Sequence, residues 1–293
     1  MDGEEVERAT RVVIAHARGD PWEGANYVLR VLADEWRKQG LEVDVVTSFQ
    51  QPTGPDTLVF PHLDRTKTHP GLTDLLSRSA RVVNGAVTDI SKRAISRHLL
   101  SSTLDFDGPV IVKTDLNYGG AREIRDLKRR GGPEGAALRA LERQPWQVSG
   151  LLRGEEYRLY DHPTLVPRAV WSNPRLVVEK FLPEREGDLY CLRQYVFLGD
   201  CEITTRSFAE QPIIKSSNVV RREVLDDTPE AVRAFRRELG FDFGKFDYVM
   251  HGDEAIIFDV ARTPSYDANS KAGSAGSLML KLVPGIEPFL GAA

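Results

Sequence analysis

Asp247 and Asp259 stand on either side of a turn in the segment Lys245-Phe-Asp-Tyr-Val-Met-His-Gly-Asp-Glu-Ala-Ile-Ile-Phe-Asp-Val-Ala-Arg-Thr-Pro264. Phe246, Tyr248 and Met250 alternate with Asp247 and Val249, which is the period of a strand. His251-Gly-Asp-Glu254 has the composition of a turn, and residues 255–260 run back as an apolar strand that carries Asp259 near its end. The hairpin therefore sets two carboxylates on neighbouring strands. A buried carboxylate without a counter-charge is costly, and two together call for a cation. Oxygen donors suit Mg²⁺, and Mg²⁺ held by one or two carboxylates usually also holds nucleotide phosphates. The bland alternative is a structural pair neutralised by Lys245, Arg262 or Lys215.

Three further segments carry charge where chemistry could use it. Lys113 ends an apolar strand and is followed by Asn117-Tyr-Gly-Gly120. Adjacent glycines let backbone amides approach phosphate oxygens, and a lysine adds a point charge, although short motifs of this kind are common. No Gly-Lys-Ser/Thr follows, so this is not a Walker A loop. Val177-Val-Glu-Lys-Phe-Leu-Pro183 is a strand that stops in Glu179-Lys180 and turns at Pro183. It could present a carboxylate and backbone groups to an adenine edge and a ribose, or be a solvated strand end. Arg193 lies in the otherwise apolar run Tyr190-Cys-Leu-Arg-Gln-Tyr-Val-Phe197, where it needs either a structural carboxylate or an anionic ligand.

The elements that must position these residues are those of a mixed α/β chain. Residues 11–15, 41–47, 57–60 and 81–83 read as strands alternating with helices at 26–39 and 73–79, which implies a mostly parallel sheet. The first strand is followed by His16-Ala-Arg-Gly-Asp-Pro21, not by a dinucleotide fingerprint. Further on, the reading is a helix at 91–100, a strand at 109–114, a basic helix at 122–130, a helix at 134–143 and a strand at 176–181. Paired strands at 191–197 and 201–206, an amphipathic helix at 229–239 and the acidic hairpin follow. The 293 residues are 41% hydrophobic and 28% charged, an ordinary globular composition. A net charge of −4 argues against a general nucleic-acid binder. The acidic start Met1-Asp-Gly-Glu-Glu5 lacks a signal-peptide core, and no apolar run is long enough to span a membrane. The expectation is a cytoplasmic protein with Cys191 and Cys201 reduced on adjacent strands.

Taken in order, these features resemble the ATP-grasp superfamily over residues 84–265. The resemblance implies an α/β and α+β ATP-grasp fold with an N-terminal Rossmann-like unit at 1–90. A linker helix and small subdomain follow at 91–180, and a metal-bearing subdomain at 181–293. Lys92 on the linker helix would touch ATP phosphate, and Lys113 would reach the α-phosphate. Asn117 to Gly120, with Tyr118, Gly119 and Gly120, would fold over the triphosphate. Glu179, Lys180 and Leu182 would be the hinge that reads adenine. Asp188, or else Glu184 or Glu186, would hold the ribose. Asp247 and Asp259 would bind Mg²⁺, with Mn²⁺ as an alternative ion.

The implied activity is joining a carboxylate to an amine through an acyl phosphate, with ADP and phosphate released. Arg193 or Arg206 would steady the acyl phosphate, and Lys245, emerging on the same face as Asp247, would touch the acyl phosphate too. The partners would be a small-molecule carboxylic acid and an amine, with neither nucleic acid nor membrane, and a homodimer is common among such enzymes. The acid would bind between the N-terminal unit and the last strands, near Asp20-Pro-Trp-Glu-Gly24, Pro61-His-Leu-Asp64 and Ser265-Tyr266. One departure stands out: the family's run has Asn two residues after the second acid, and this chain has Ala261. The site would then run on one ordered Mg²⁺, or the chain would be a non-catalytic relative, or the alanine an introduced change. A nucleotide-binding protein without turnover and a phosphotransferase on the same fold are the competing readings.

Overall fold

The computed structural model describes residues 8–47, 54–68, 70–79, 81–266 and 275–291 and arranges them around three sheets. The N-terminal sheet has β1 (Arg11–His16), β2 (Glu42–Val46), β3 (Thr57–His62) and β4 (Arg81–Val82) in the order β2-β1-β3-β4, every pair parallel. Helix α1 (Val28–Lys38) buries Val28, Leu29, Leu32, Ala33 and Trp36, one apolar stripe at helical spacing. Gly40, at φ 94°, takes the left-handed turn that releases the chain from the helix. Helix α2 (Pro70–Ser77) leads into β4.

The middle of the chain forms α3 (Lys92–Ile95), β5 (Leu99–Leu100), β6 (Val110–Thr114), α4 (Ala121–Arg130), α5 (Gly132–Glu142), α6 (Trp146–Ser149), β7 (Arg158–Tyr160), α7 (Arg168–Trp171) and β8 (Leu176–Lys180). Its sheet runs β5-β8-β6-β7, all antiparallel. Val110, Val112, Leu176 and Val178 bury one face against Val166 and Val170. The alternate residues Ile111, Lys113 and Glu179 are left for the other face. The helix expected at 91–100 is a single turn. Ser96 turns extended (ψ 133°) because Leu99 and Leu100 pair with Glu179 and Val178, a tertiary hydrogen-bonding demand that overrides helical spacing.

The third sheet holds β9 (Glu184–Glu186), β10 (Leu189–Leu198), β11 (Cys201–Ala209), β12 (Arg221–Leu225), β13 (Phe243–His251) and β14 (Glu254–Ala261), ordered β12-β11-β10-β13-β14 with β9 on β10. Helix α8 (Glu230–Leu239) covers one face, with Val232 and Phe235 packed on Tyr195, Phe197, Phe246 and Tyr248. On the other face Val196, Leu198, Ile203 and Phe243 join the core of the N-terminal layer. The chain then closes on its beginning. Met279, Leu282, Val283, Ile286 and Leu290, from α9 (Ala275–Met279), the 3₁₀ segment Leu280–Ile286 and α10 (Glu287–Leu290), pack into the same core as Val12 and Trp36. The Trp36 indole donates to the Val283 carbonyl at 3.1 Å. This C-terminal stretch, grouped by sequence with the metal-bearing unit, thus packs against α1 of the N-terminal layer as well as against β10 and β11. Cys191 and Cys201 are free thiols on adjacent strands, at opposite ends of the ladder.

Candidate active site

The middle and C-terminal sheets face each other across a cleft of about 900 Å³, open mouth included. The hairpin expected from sequence forms its floor. Asp247 on β13 is directly opposite Asp259 on β14, and a register shift lies between that pair and the next, Tyr248 with Ile257. Phe258 is the extra residue of this bulge. In unbroken register Asp247 would face Phe258, and Asp259 would turn to the far side of the sheet. The bulge puts Phe258 and Asp259 both into the cleft.

Like charges directly opposite on a ladder repel, and the protein answers with lysines. The Lys92 ammonium, fully buried, lies 2.5 Å from Asp259 Oδ1. Burial pushes the Asp259 carboxyl up, but the Lys92 charge and hydrogen bond, with Lys113 and Lys245 behind them, hold it below the ordinary carboxylate range. Burial works against the Lys92 charge in turn, yet Asp259 outweighs it and the ammonium is held above the usual lysine range. Lys245 donates to Asp247 Oδ2 at 3.0 Å, and the Gln194 amide donates to Asp247 Oδ1 at 3.0 Å. Lys113 pairs with Glu179, both buried, and Glu179 also accepts from the Ser96 hydroxyl. Lys113 rides 5.0 Å above the Phe258 ring.

The inner walls are apolar: Ile111 on the middle sheet faces Val249 and Ile256 on the hairpin, with Phe181, Leu182 and Pro183 closing one end. Lys180 lines this end with its ammonium over Phe106. Two residues that the sequence reading did not assign to the site complete it. Tyr157 is half-buried beside Lys92 and Asp259, and burial pushes its hydroxyl up. The Lys215 ammonium stands 5.8 Å from the Tyr157 ring, and among the described residues no carboxylate pairs with it. Gly154 makes room: a Cβ there would come within 3.1 Å of the Lys215 nitrogen. Nothing in the local spacing of Tyr157 or Lys215 marks them, since each arrives from a loop distant in sequence from the hairpin.

No family model matches the sequence, and no curated protein matches it. Solved structures do. The ATP-grasp ligase PsnB complexed with a minimal precursor is similar with a TM-score of 0.53 at 12% identity, over 94% of this chain and 98% of that one. The same ligase with minimal precursor, Mg and ADP has a TM-score of 0.53 at 11% identity, over 94% of this chain and 96% of that one. A RimK-domain ATP-grasp protein from Sphaerobacter thermophilus has a TM-score of 0.50 at 14% identity, over 93% and 98%. The chain has the ATP-grasp fold. Identities this low establish architecture, so the chemistry has to be argued from the side chains in place.

In this ATP-grasp cleft the structure gathers Lys92, Lys113, Glu179, Lys180, Leu182, Asp247 and Asp259. Lys245 joins them through its bond to Asp247. Other expected residues are elsewhere. Arg193 pairs with Tyr248, not with Asp247, so it points to the α8 face of the sheet. There it grips both oxygens of Glu184 at 2.8–3.0 Å. Arg206, opposite Arg193 on β11, engages Glu184, Glu186 and Glu223 on that same face. Neither arginine reaches the cleft, because strand alternation sends both to the opposite side. Asp188 is exposed at the β9–β10 turn, and of its two alternatives Glu184 is consumed by the arginines and Glu186 is bound by Arg206 and Arg221. Tyr118, Gly119 and Gly120 form a left-handed 3₁₀ turn (φ 46°, 66° and 72°) that lines a neighbouring groove with residues 151–156. Gly119 is required there, since a Cβ would meet the Leu152 carbonyl at 3.0 Å.

Of the residues expected to line an acid-binding surface, Trp22, His62 and Leu63 are buried, while Pro21, Glu23, Gly24 and Ser265 are exposed. His16 and His62, opposite each other at the carboxyl ends of β1 and β3, surround Trp22 with Tyr27. Arg122 from α4 is buried against Asp20 and lies 3.8 Å from Asp64. Burial pushes both carboxyls up, against the Arg122 charge. Burial also depresses His62 to about 3, so this imidazole is neutral. Of this group Asp64 is the more open carboxylate, one-third exposed, while Asp20 is 1% exposed. Arg262 ties the end of β14 to this layer through the carbonyls of Arg65 and Val87 and the Thr68 hydroxyl. Ser265 bridges to Tyr27, and residues 267–274 lie outside the described residues.

Proposed function

We propose that this chain is an ATP-dependent ligase that joins a carboxylate to an amine through an acyl phosphate and releases ADP and phosphate. The observation that carries the reading is the convergence of Lys92, Lys113, Lys215, Asp247 and Asp259 at one end of an apolar slot. A flat apolar base fits between Ile111 and the pair Val249–Ile256, and a polyanion fits the lysine end. Leu182, whose amide makes no hydrogen bond among the described residues, is the hinge donor available to the base edge.

The carboxylate pair fits Mg²⁺ by donor chemistry: hard oxygens, facing each other, lining a cleft that a phosphate chain can enter. Asp247 and Asp259 would hold the ion; when bound it neutralises developing charge on the phosphates, and Mn²⁺ suits the same donors. An ammonium has three donors, so Lys92 and Lys113 can keep their carboxylates and still donate to phosphate oxygens. Their partners fix where those charges stand, which is electrostatic preorganisation. Lys215, without a carboxylate partner among the described residues, is a cation placed to meet the transferred phosphoryl group and the acyl phosphate. The substrate carboxylate attacks the terminal phosphorus and ADP leaves; the amine then attacks the acyl carbon and phosphate leaves.

The substrates are a carboxylic acid and an amine, and the peptide complexes of PsnB favour at least one of them being borne on a peptide. Ala261 favours a second reading, nucleotide binding without turnover. Calorimetry with ATP and Mg²⁺, followed by a phosphate-release assay over acids, amines and short peptides, separates them. Release that needs both an acid and an amine is expected. Binding without release points to the second reading, and phosphorylation of an acceptor without an amine would make the chain a phosphotransferase. Lys113→Ala is expected to weaken ATP at least ~10-fold, the scale of one charge-assisted contact; unchanged affinity removes Lys113 from the grip.

A further inference from the structure

Lys245 and Ala261 are direct cross-strand partners on the ladder that carries Asp247 and Asp259. Side chains so placed rise from the same face with their Cβ atoms ~5 Å apart. Alanine leaves the space above the pair to lysine, and the lysine uses it: its ammonium bends back to Asp247 Oδ2 at 3.0 Å, four-fifths buried. Gln194 takes Asp247 Oδ1, and Lys92 takes Asp259 Oδ1. Of the four carboxylate oxygens, only Asp259 Oδ2 accepts no hydrogen bond from the described residues. Nor do the described residues contain any group of three or more His, Cys, Asp or Glu side chains that could hold a metal.

From this geometry, and resting on the ligase reading above, we infer that the site takes one divalent cation per nucleotide and that the Lys245 ammonium stands where a second would otherwise be needed. A second divalent ion requires further oxygen donors, and the position opposite Lys245 offers a methyl group. It would also sit against a fixed positive charge in a confined cleft, where repulsion is poorly screened. An ammonium in that place neutralises one phosphate charge with three rotatable donors, needs no coordination shell and is always present. The lysine–alanine pair is therefore a matched replacement: the small residue admits the long cation.

The test counts ions. Mn²⁺ is titrated into the full-length chain with saturating ATP imido analogue, and bound Mn²⁺ is read by electron paramagnetic resonance while nucleotide occupancy is measured in parallel. One Mn²⁺ per bound nucleotide is expected; two overturns the inference, whatever the variants do. In Ala261→Asn the ratio stays at one, because the ammonium still occupies the position. Adding Lys245→Ala to that variant raises it to two. A ratio of two in Ala261→Asn alone shows that Lys245 excludes nothing and sinks the assignment. Failure of the unaltered chain to bind nucleotide at all is a different result: it defeats the ligase reading, and this inference with it.

Discussion

On the α8 face of the six-stranded sheet, Arg193 holds both oxygens of Glu184, and Arg206 spans Glu184, Glu186 and Glu223. Arg221 continues the chain to Glu186 and Glu223. On the cleft face, one residue along the same strands, Gln194 and Lys245 meet Asp247, and Lys92 meets Asp259. Both faces concentrate charge, but they spend it differently. The arginine face is saturated, with planar forks locked onto carboxylates that have partners on several sides. Among the described residues the lysine face is left with spare valence: single contacts to compact ammonium groups, a bare carboxylate oxygen on Asp259 and an unpaired Lys215. Charge that is fully satisfied within the protein stabilises a fold, and charge that is positioned but unsaturated can still receive a ligand.

Four measurements break or sharpen that contrast. The largest effect is expected from Asp259→Asn on the cleft face: turnover at saturating ATP falls at least ~10³-fold, the scale of losing metal-assisted charge stabilisation, with the circular dichroism spectrum unchanged. A variant with a normal rate takes Asp259 out of the metal site. On the far face, Arg193→Ala is expected to cost about 1–3 kcal/mol of stability by removing the two-oxygen grip on buried Glu184 and leaving it to Arg206 and the Met250 amide, with kcat of the folded fraction preserved. Loss of kcat without loss of stability would reverse the assignment of the two faces. Lys215→Ala is expected to lower kcat/KM ~10²-fold with little change in urea midpoint; a stability loss in place of a rate loss would make Lys215 structural.

The smallest effect concerns the N-terminal layer, where a buried neutral histidine should show itself in pH dependence. His62 has a folded value near 3 against 6.5 in an unfolded chain. Below 6.5 the unfolded state binds a proton that the folded state refuses, so stability is full above 6.5 and is lost as pH falls toward 3. His62→Asn is expected to be less stable at neutral pH but to have a flatter acid limb over that window. Equal slopes in the two proteins would show that His62 is not what sets the limb.

Much of the cleft was legible in the sequence because its signals are local. The alternation around Asp247, the turn at His251-Gly-Asp-Glu254 and the strand-end lysine Lys113 each need only neighbouring residues to be read. What was not legible depends on which face a residue takes. Arg193 in an apolar strand announces that it has a partner but not on which side, and the partner, Glu184, is supplied by a strand too short to be noticed. The turn at Asn117–Gly120 has the composition of a phosphate loop, yet its placement is set by packing on residues 151–156.

By itself the sequence determined the alternation of elements, the acidic hairpin and the lysines that accompany it, because periodicity and turn composition act over a few residues. Only the tertiary structure decided the bulge at Phe258, which no glycine marks and which turns Asp259 toward Asp247. It alone also brought Lys92, Tyr157 and Lys215, distant in sequence, to that pair. The physical reason is one of range: a strand's period is written in its own residues, but its register and the face it turns to solvent are settled by whatever packs against it.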